Sequence, residues 1–476
     1  MTFISPLSPA RLLAAVLLPL LPLFSACTMA PKYQRPDMPT PTEYHMGATL
    51  GANTPFLSWQ AFFTDPTTKR LIQIGLDNNR DLRLAMLNID KVRAQYQITR
   101  ADVLPTVSGM GESSNRGVPA DVSGLGRRSV LRQHSVGVGM TNFELDLWGR
   151  IRSLSDAALE TYYSAQDDAR TAQIALVAEV ASTYLQLIAD KELLDITTAT
   201  YKNRKGQYDL VSNKFTSGVA SQLEVSQARS IMEEARSNVA RYATRVGQAE
   251  NYLSFLIGAP LPTDMPDVRR LSQVNILSDI PAGLPSTLLE RRPDIQAAEH
   301  RLKGAYANIG AARANFFPTI SLTGQLGTIS ADANDLFTGQ TGFWSFIPSV
   351  SLPIFDTGRN IARLDVSEAE RSIAVADYEK TIQIAFREVA DCLVQRQNIG
   401  LQMEAETELL KSTTASYDLA SARYDVGVDS YLNVLDAQRS LYSAQQSYIS
   451  TKLLRETNAL TLFKALGGGW DKVGGN

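Results

Sequence analysis

The chain has 476 residues, room for two or three domains or one large elongated one. Its formal net charge is −3 and charged residues make up 20%, so the basic footprint of a nucleic-acid binder is missing. Gly, Ala, Ser and Thr are plentiful, which suits a folded protein built from closely packed helices.

Near the start, Arg11 is followed by an apolar run, Leu12 to Phe24, interrupted by Pro19 and Pro22. A helix needs roughly 20 apolar residues to span a bilayer, and this run is shorter. A short apolar run followed by small residues reads as a secretory signal over residues 1–26. The segment "LFSAC" resembles a bacterial lipobox, with Phe24 where an aliphatic residue is usual, and implies lipidation (palmitate) of Cys27. The alternative is an ordinary signal peptide in which Cys27 is incidental. In lipoproteins an Asp after the Cys tends to retain the protein at the inner membrane; here Thr28 implies the outer one. The other cysteine, Cys392, lies in a helical pattern and reads as a small buried residue. Residues 27–60 form an anchored extended strap, because Pro31, Pro36, Pro39 and Pro41 favour extended backbone.

From there the chain writes one plan twice. "RADVLPTVSG" (100–109) recurs as "RANFFPTISL" (313–322), and "ELDLWGR" (144–150) as "PIFDTGR" (353–359). "FTSGVASQLEVSQARS" (215–230) recurs as "YDVGVDSYLNVLDAQRS" (424–440), and 69 positions separate Gly149 from Gly218 and Gly358 from Gly427. The units run over 61–258 and 287–466, with a Pro-rich linker at 259–286 and a Gly-rich tail at 467–476.

Each unit begins with a helix, "DLRLAMLNIDKVRAQYQITRA" or "DIQAAEHRLKGAYANIGAARA", that breaks at a proline. Strands follow. Apolar residues alternate in "SVGVGM", "PTISLTGQL" and "WSFIPSVSLPIF", the period of a sheet with one apolar face. After Met140 the apolar parity slips to Phe143, Leu145 and Leu147, which reads as a bulge; the strand near Thr106 is weakly patterned. Asp156–Lys214 and Asn360–Asp425 contain no proline and one glycine each, so each reads as a helix roughly 100 Å long. Gly218 and Gly427 sit where such a helix ends in a left-handed residue. Ser221 and Glu224 then have the spacing of a capping box, as do Ser430 and Asn433. Each repeated stretch is therefore a sharp reversal between two helices.

Two strands per unit make four per chain, and four strands cannot close. An open edge in lipid leaves backbone groups unpaired at several kcal/mol each. Two chains would supply eight strands, whose interior side chains fill; three supply twelve and an open lumen. At this point the chain resembles the TolC-type outer-membrane factors, in their OprM-like lipoprotein branch, through "CTMAPKYQRP", "LPTVSG", "ELDLWGR", "PSVSLPIFDTGR" and "RYDVGVDSYLNVLDAQRSLYSAQ". The resemblance implies an α+β membrane protein: a trimeric 12-stranded β-barrel, four strands per chain, continued by a 12-helix periplasmic α-barrel. It implies an exit duct of a tripartite efflux system, with a periplasmic adaptor and an inner-membrane RND-type pump as partners, for drugs or other small toxic compounds. An ABC-driven type I protein secretion duct is the alternative in the same class. A coiled-coil envelope lipoprotein without a pore is the alternative outside it.

The resemblance also places a periplasmic gate at Tyr424, Asn433 and Asp436, with Asp436 matching an acidic ring around the threefold axis. Asn433 is neutral where some members carry an aspartate, and Asp429 stands where some carry a locking arginine. Three converging carboxylates repel one another and draw in cations. Otherwise Asp436 is a first-turn helix residue favoured by the dipole. Glu224 and Gln227 are the equivalents in the first hairpin, and the tips Gly218, Val219, Gly427 and Val428 would meet the adaptor. Catalytic, cofactor and metal sites are not expected: His45, His134 and His300 lack ligand spacing, and no nucleophile elbow or phosphate loop is present.

Overall fold

The computed structural model describes residues 28–41, 58–124, 126–274 and 288–468. The signal peptide, Cys27, residues 42–57 of the strap, residues 275–286 of the linker and residues 469–476 of the tail lie outside the described residues. In chain order the elements are helices α1 (Trp59–Phe62), α2 (Pro66–Asn78) and α3 (Arg80–Ala101), strands β1 (Val107–Val118) and β2 (Ser129–Glu144), and helices α4 (Arg150–Thr216) and α5 (Gln222–Ile257). The second unit gives α6 (Leu288–Arg291), α7 (Pro293–Ala314), β3 (Thr319–Ser330), β4 (Gly342–Ser351), α8 (Arg359–Asp425) and α9 (Tyr431–Ala465). Both long helices are unbroken over 67 residues.

The chain divides into two compact units. The first takes in the described parts of residues 1–36 with 89–164 and 298–378. It contains one antiparallel sheet in the order β1-β2-β3-β4. The register shifts by one residue between Met140 and Phe143, and Asn142 there takes a positive φ of 55°. The extra residue restores the apolar side chains to one face: Phe143 stands opposite Leu322, as Val138 stands opposite Leu326. The parity slip is thus a bulge.

The strand expected over "WSFIPSVSLPIF" is shorter than its alternation implied. β4 ends at Ser351, which pairs with Thr319, the first residue of β3, so its partner strand runs out there. Leu352, Ile354 and Phe355 lie beyond it, exposed.

The repeated "ELDLWGR" and "PIFDTGR" motifs start the long helices. Asp146 accepts hydrogen bonds from the backbone N–H of Ile151 and Arg152, and Asp356 accepts from Gly358 and Asn360. Each carboxylate satisfies N–H groups that have no partner within the helix. Trp148 donates to the Pro318 carbonyl at 2.8 Å and stacks on Phe317. The strap docks in this unit too. Tyr33 and Arg35 both donate to the buried carboxylate of Glu299 on α7, the Arg35–Glu299 pair at 2.7 Å, and the Tyr33 ring meets Tyr306 edge-on.

The second unit takes in the described parts of 37–88, 165–297 and 379–476. Its core is a helical seam. Val177, Val180, Ala181, Leu185 and Ile188 of α4 are buried, as are Ile382, Ala385, Val389 and Cys392 of α8. A stretch of α4 is apolar enough to cross a membrane by length and composition, but most of it is packed inside the protein. Phe62 stacks on Phe463 at 4.1 Å. Arg292, buried ahead of α7, donates to Asp294, Glu388 and the Ala465 carbonyl. With three acceptors around it, the buried guanidinium is compensated.

Candidate functional site

Two surfaces could carry function: the sheet, and the two helical turns. Residues opposite each other in an antiparallel ladder share a face. One row of the sheet reads Gly109–Val138–Leu326–Trp344, and the next Val107–Met140–Gly324–Phe346. Ile320 with Val350 and Leu322 with Pro348 continue the same face. The opposite face carries Ser108–Gly139–Gln325–Ser345 and Glu144–Ser321–Ser349, where the two serine hydroxyls of Ser321 and Ser349 hydrogen-bond at 2.7 Å. Phe343 and Ile347, with Met110, Leu131 and Ile329, are bulky exceptions on it. The apolar face is uncovered in the single chain: Trp344 is 78% exposed and Leu326 64%. β1 and β4 each have one partner strand, so both edges present unpaired backbone groups.

The two turns repeat with one difference. Gly218 and Gly427 have φ of 78° and 76°, the left-handed ends expected of both helices. Val219 and Val428 stand exposed beside them, as do Leu223 and Leu432. At the first turn the capping box forms in full: the Ser221 hydroxyl accepts from the Glu224 N–H, and the Glu224 carboxylate accepts from the Ser221 N–H at 2.6 Å. Those bonds hold the Glu224 carboxyl below the usual carboxylate range. At the second turn the expected Ser430–Asn433 counterpart does not form. Ser430 occupies the cap position without a side-chain hydrogen bond. The Asn433 amide donates instead to Asp429, whose carboxylate also accepts from the Ser430 N–H and pairs with Arg423 at 3.1 Å. Asparagine cannot close the box as glutamate does, because its shorter side chain finds a carboxylate nearer than the cap backbone. These partners hold the Asp429 carboxyl low, the Asn433 hydrogen bond most of all, then Arg423.

The sequence-derived gate residues fall in three local settings. Tyr424 accepts a hydrogen bond from Lys214 at 3.2 Å, and the same ammonium lies 5.0 Å from the tyrosine ring centre. Tyr431 donates to Gln207 at 3.0 Å, a second link between α8–α9 and α4. Asp436 pairs with Arg439 at 2.6 Å and borders an open cleft of about 460 Å³ with Gln227, Glu234 and Leu432. Asn433 is turned to Asp429 and does not join Asp436.

Lys214, Gln207 and the buried Arg204 were not singled out from sequence. Arg204 donates to the Ile231 carbonyl and Glu234 of α5 and lies over the Tyr442 ring of α9. Their partners stand far away in the chain, so nothing local announces them. Only the alignment of Phe215 with Tyr424 hints that both sit at equivalent turns.

A four-stranded sheet with one apolar face and open edges, in a chain that also carries helical hairpins of this length, defines a class: the membrane-channel subunit that shares its barrel with other chains. The family model for outer membrane efflux proteins matches residues 71–259 and 284–468. The chain belongs to the outer membrane efflux protein family. It is 46% identical over 454 residues to the toluene efflux pump outer membrane protein TtgC of Pseudomonas putida, covering 94% of each chain. It is equally similar, 46% over 454 residues and 94% of each chain, to the antibiotic efflux pump outer membrane protein ArpC of Pseudomonas putida. The solved open state of the MtrE outer membrane channel of Neisseria gonorrhoeae superposes with a TM-score of 0.85 at 37% identity, covering 93% of this chain and 98% of that one. The fold is that of the outer-membrane efflux channels, with four strands and four long hairpin helices among the described residues, and the protein is an outer-membrane transport duct.

Proposed function

We propose that three copies of this chain close a 12-stranded barrel in the outer membrane and that the duct serves a tripartite efflux system. The observation that carries the proposal is the open-edged sheet with one apolar face. Unpaired edges in hydrocarbon cost several kcal/mol per backbone group, so β4 of one copy must pair with β1 of the next. Eight strands leave no lumen, and twelve do. The apolar rows through Leu326 and Phe346 then face lipid, and the rows through Gln325 and Ser321 face water.

The long helices reach into the periplasm, where the exposed valines of the two turns, Val219 and Val428 beside Gly218 and Gly427, meet an adaptor protein. An inner-membrane RND-type pump supplies the energy; the duct itself is passive, with no enzymatic step. Relatives named for toluene and antibiotic efflux support small apolar toxic compounds as cargo over a secreted protein. Cys27 carries the lipid anchor. The two family-model matches support two repeats, at 61–258 and 287–466.

Tyr424, Asn433 and Asp436 make the gate. Support comes from the hydrogen bonds that tie Tyr424 and Tyr431 to Lys214 and Gln207 on the other hairpin. Purified protein in planar bilayers should give discrete single-channel currents and sediment as a trimer. A monomer without conductance would leave the pore-free coiled-coil lipoprotein as the better reading.

A further inference from the structure

On the apolar face of the sheet the side chains change character toward the β1–β2 turn. The row Gly111–Val136–Thr328–Gly342 is followed by Ser113–His134–Ser330, and that by Asn115–Arg132. Arg132 is the one fixed charge on this face, and no Asp or Glu stands on it anywhere between Val107 and Val350. Arg132 is exposed, and Glu144, the nearest acid along β2, pairs with Arg150 instead. His134 follows it two residues on along the same face, roughly 7 Å along the strand. Both therefore lie on one patch with Ser113, Asn115 and Ser330 across the ladders. The turn above adds the exposed Arg127 and Arg128, against the single acid Asp121. Glu112 faces the other way, opposite Ser135.

A cation on a lipid-facing strand is disfavoured in hydrocarbon and tolerated at the interface. We infer that Arg132 and His134, with Asn115 and Ser330, form a binding site for the phosphate-bearing headgroup of an outer-leaflet lipid. The chemistry of the patch suits this ligand. It offers a planar cationic fork, a ring N–H, an amide and hydroxyls, and no competing anion. Its place fits as well, immediately above the apolar rows that acyl chains would cover and below the cationic turn. The site fixes the depth of the barrel in the membrane and ties the β1–β2 hairpin to the surrounding lipid. The inference rests on the proposed assignment of this face to lipid.

The test uses the full-length trimer in detergent, titrated with phosphorylated lipid A, with enzymatically dephosphorylated lipid A and with inorganic phosphate, read as the shift in thermal unfolding. The phosphorylated lipid should raise the melting temperature and the other two should not. Arg132→Gln combined with His134→Gln should weaken the apparent affinity roughly tenfold, with trimer content and single-channel conductance unchanged. An equal response to the dephosphorylated lipid, an unaltered response in the double variant, or the same shift with inorganic phosphate overturns the site. A probe at Val138→Cys separates this from the face assignment. Quenching there by brominated lipid keeps the face in contact with acyl chains even if the phosphate site fails. Protection from lipid at Val138 removes both.

Discussion

Single residues hold the N-terminal strap. Burial pushes the Glu299 carboxyl up, but hydrogen bonds and charge from Arg35 and Lys303 outweigh it and hold the group below the ordinary glutamate value of 4.5. A lowered carboxylate stabilises the folded state above its unfolded pKa and loses that contribution as pH falls through its folded one. The strap contact should therefore be intact at neutral pH and weaken below pH 4.5, with proteolysis of residues 28–41 as the readout. Arg35→Ala should expose the same segment at neutral pH. The loss is about 1 kcal/mol, because the arginine is half exposed and screened. Cys392 offers a second check. Burial, then Glu388 and Asp391, push its thiol up to about 11. A maleimide should leave it unlabelled in the folded trimer at pH 7.5 and label it fully in denaturant; labelling in the folded trimer would contradict its burial.

At the scale of the element, the two turns share a backbone and differ in their caps. Ser221→Ala removes a complete capping box and should destabilise the start of α5 by about 1 kcal/mol. Ser430→Ala removes a hydroxyl that caps nothing and should cost a few tenths at most. Amide exchange at the two tips separates the cases, and equal effects would mean that the second turn is capped after all. The repeat was legible because whole segments recur at one fixed offset, and the first capping box because it depends on residues three apart. The failure of the second box was not, because both Asn433 and Asp429 are polar and short and only geometry decides which partner wins. The shortened β4 was not legible either: the alternation ran on to Ile354, but Ser351 already stands opposite Thr319, where β3 begins.

For the whole molecule, the gate proposal makes an electrical prediction. If the Asp436 carboxylates of three chains converge on the pore axis, Asp436→Asn should reduce cation selectivity and abolish block by multivalent cations in planar bilayers. If Asp436 serves only its neighbour Arg439, 2.6 Å away on α9, conductance and block should stay as they are. The cleft that Asp436 borders together with Gln227 of the first hairpin makes the pair worth testing jointly, since the repeat places them at equivalent positions.

The sequence alone determined the repeat, the helical reversals, the number of strands and the need for other chains to complete the sheet. All of these follow from spacing along one strand or helix, or from counting backbone groups that lipid cannot satisfy. The tertiary structure decided which strands are neighbours, and so which residues make one apolar face despite the bulge after Met140. It also decided that Glu299 receives the strap and that Lys214 meets Tyr424. Those contacts join residues more than two hundred positions apart, where pairing depends on how whole elements pack and local pattern carries no information about it.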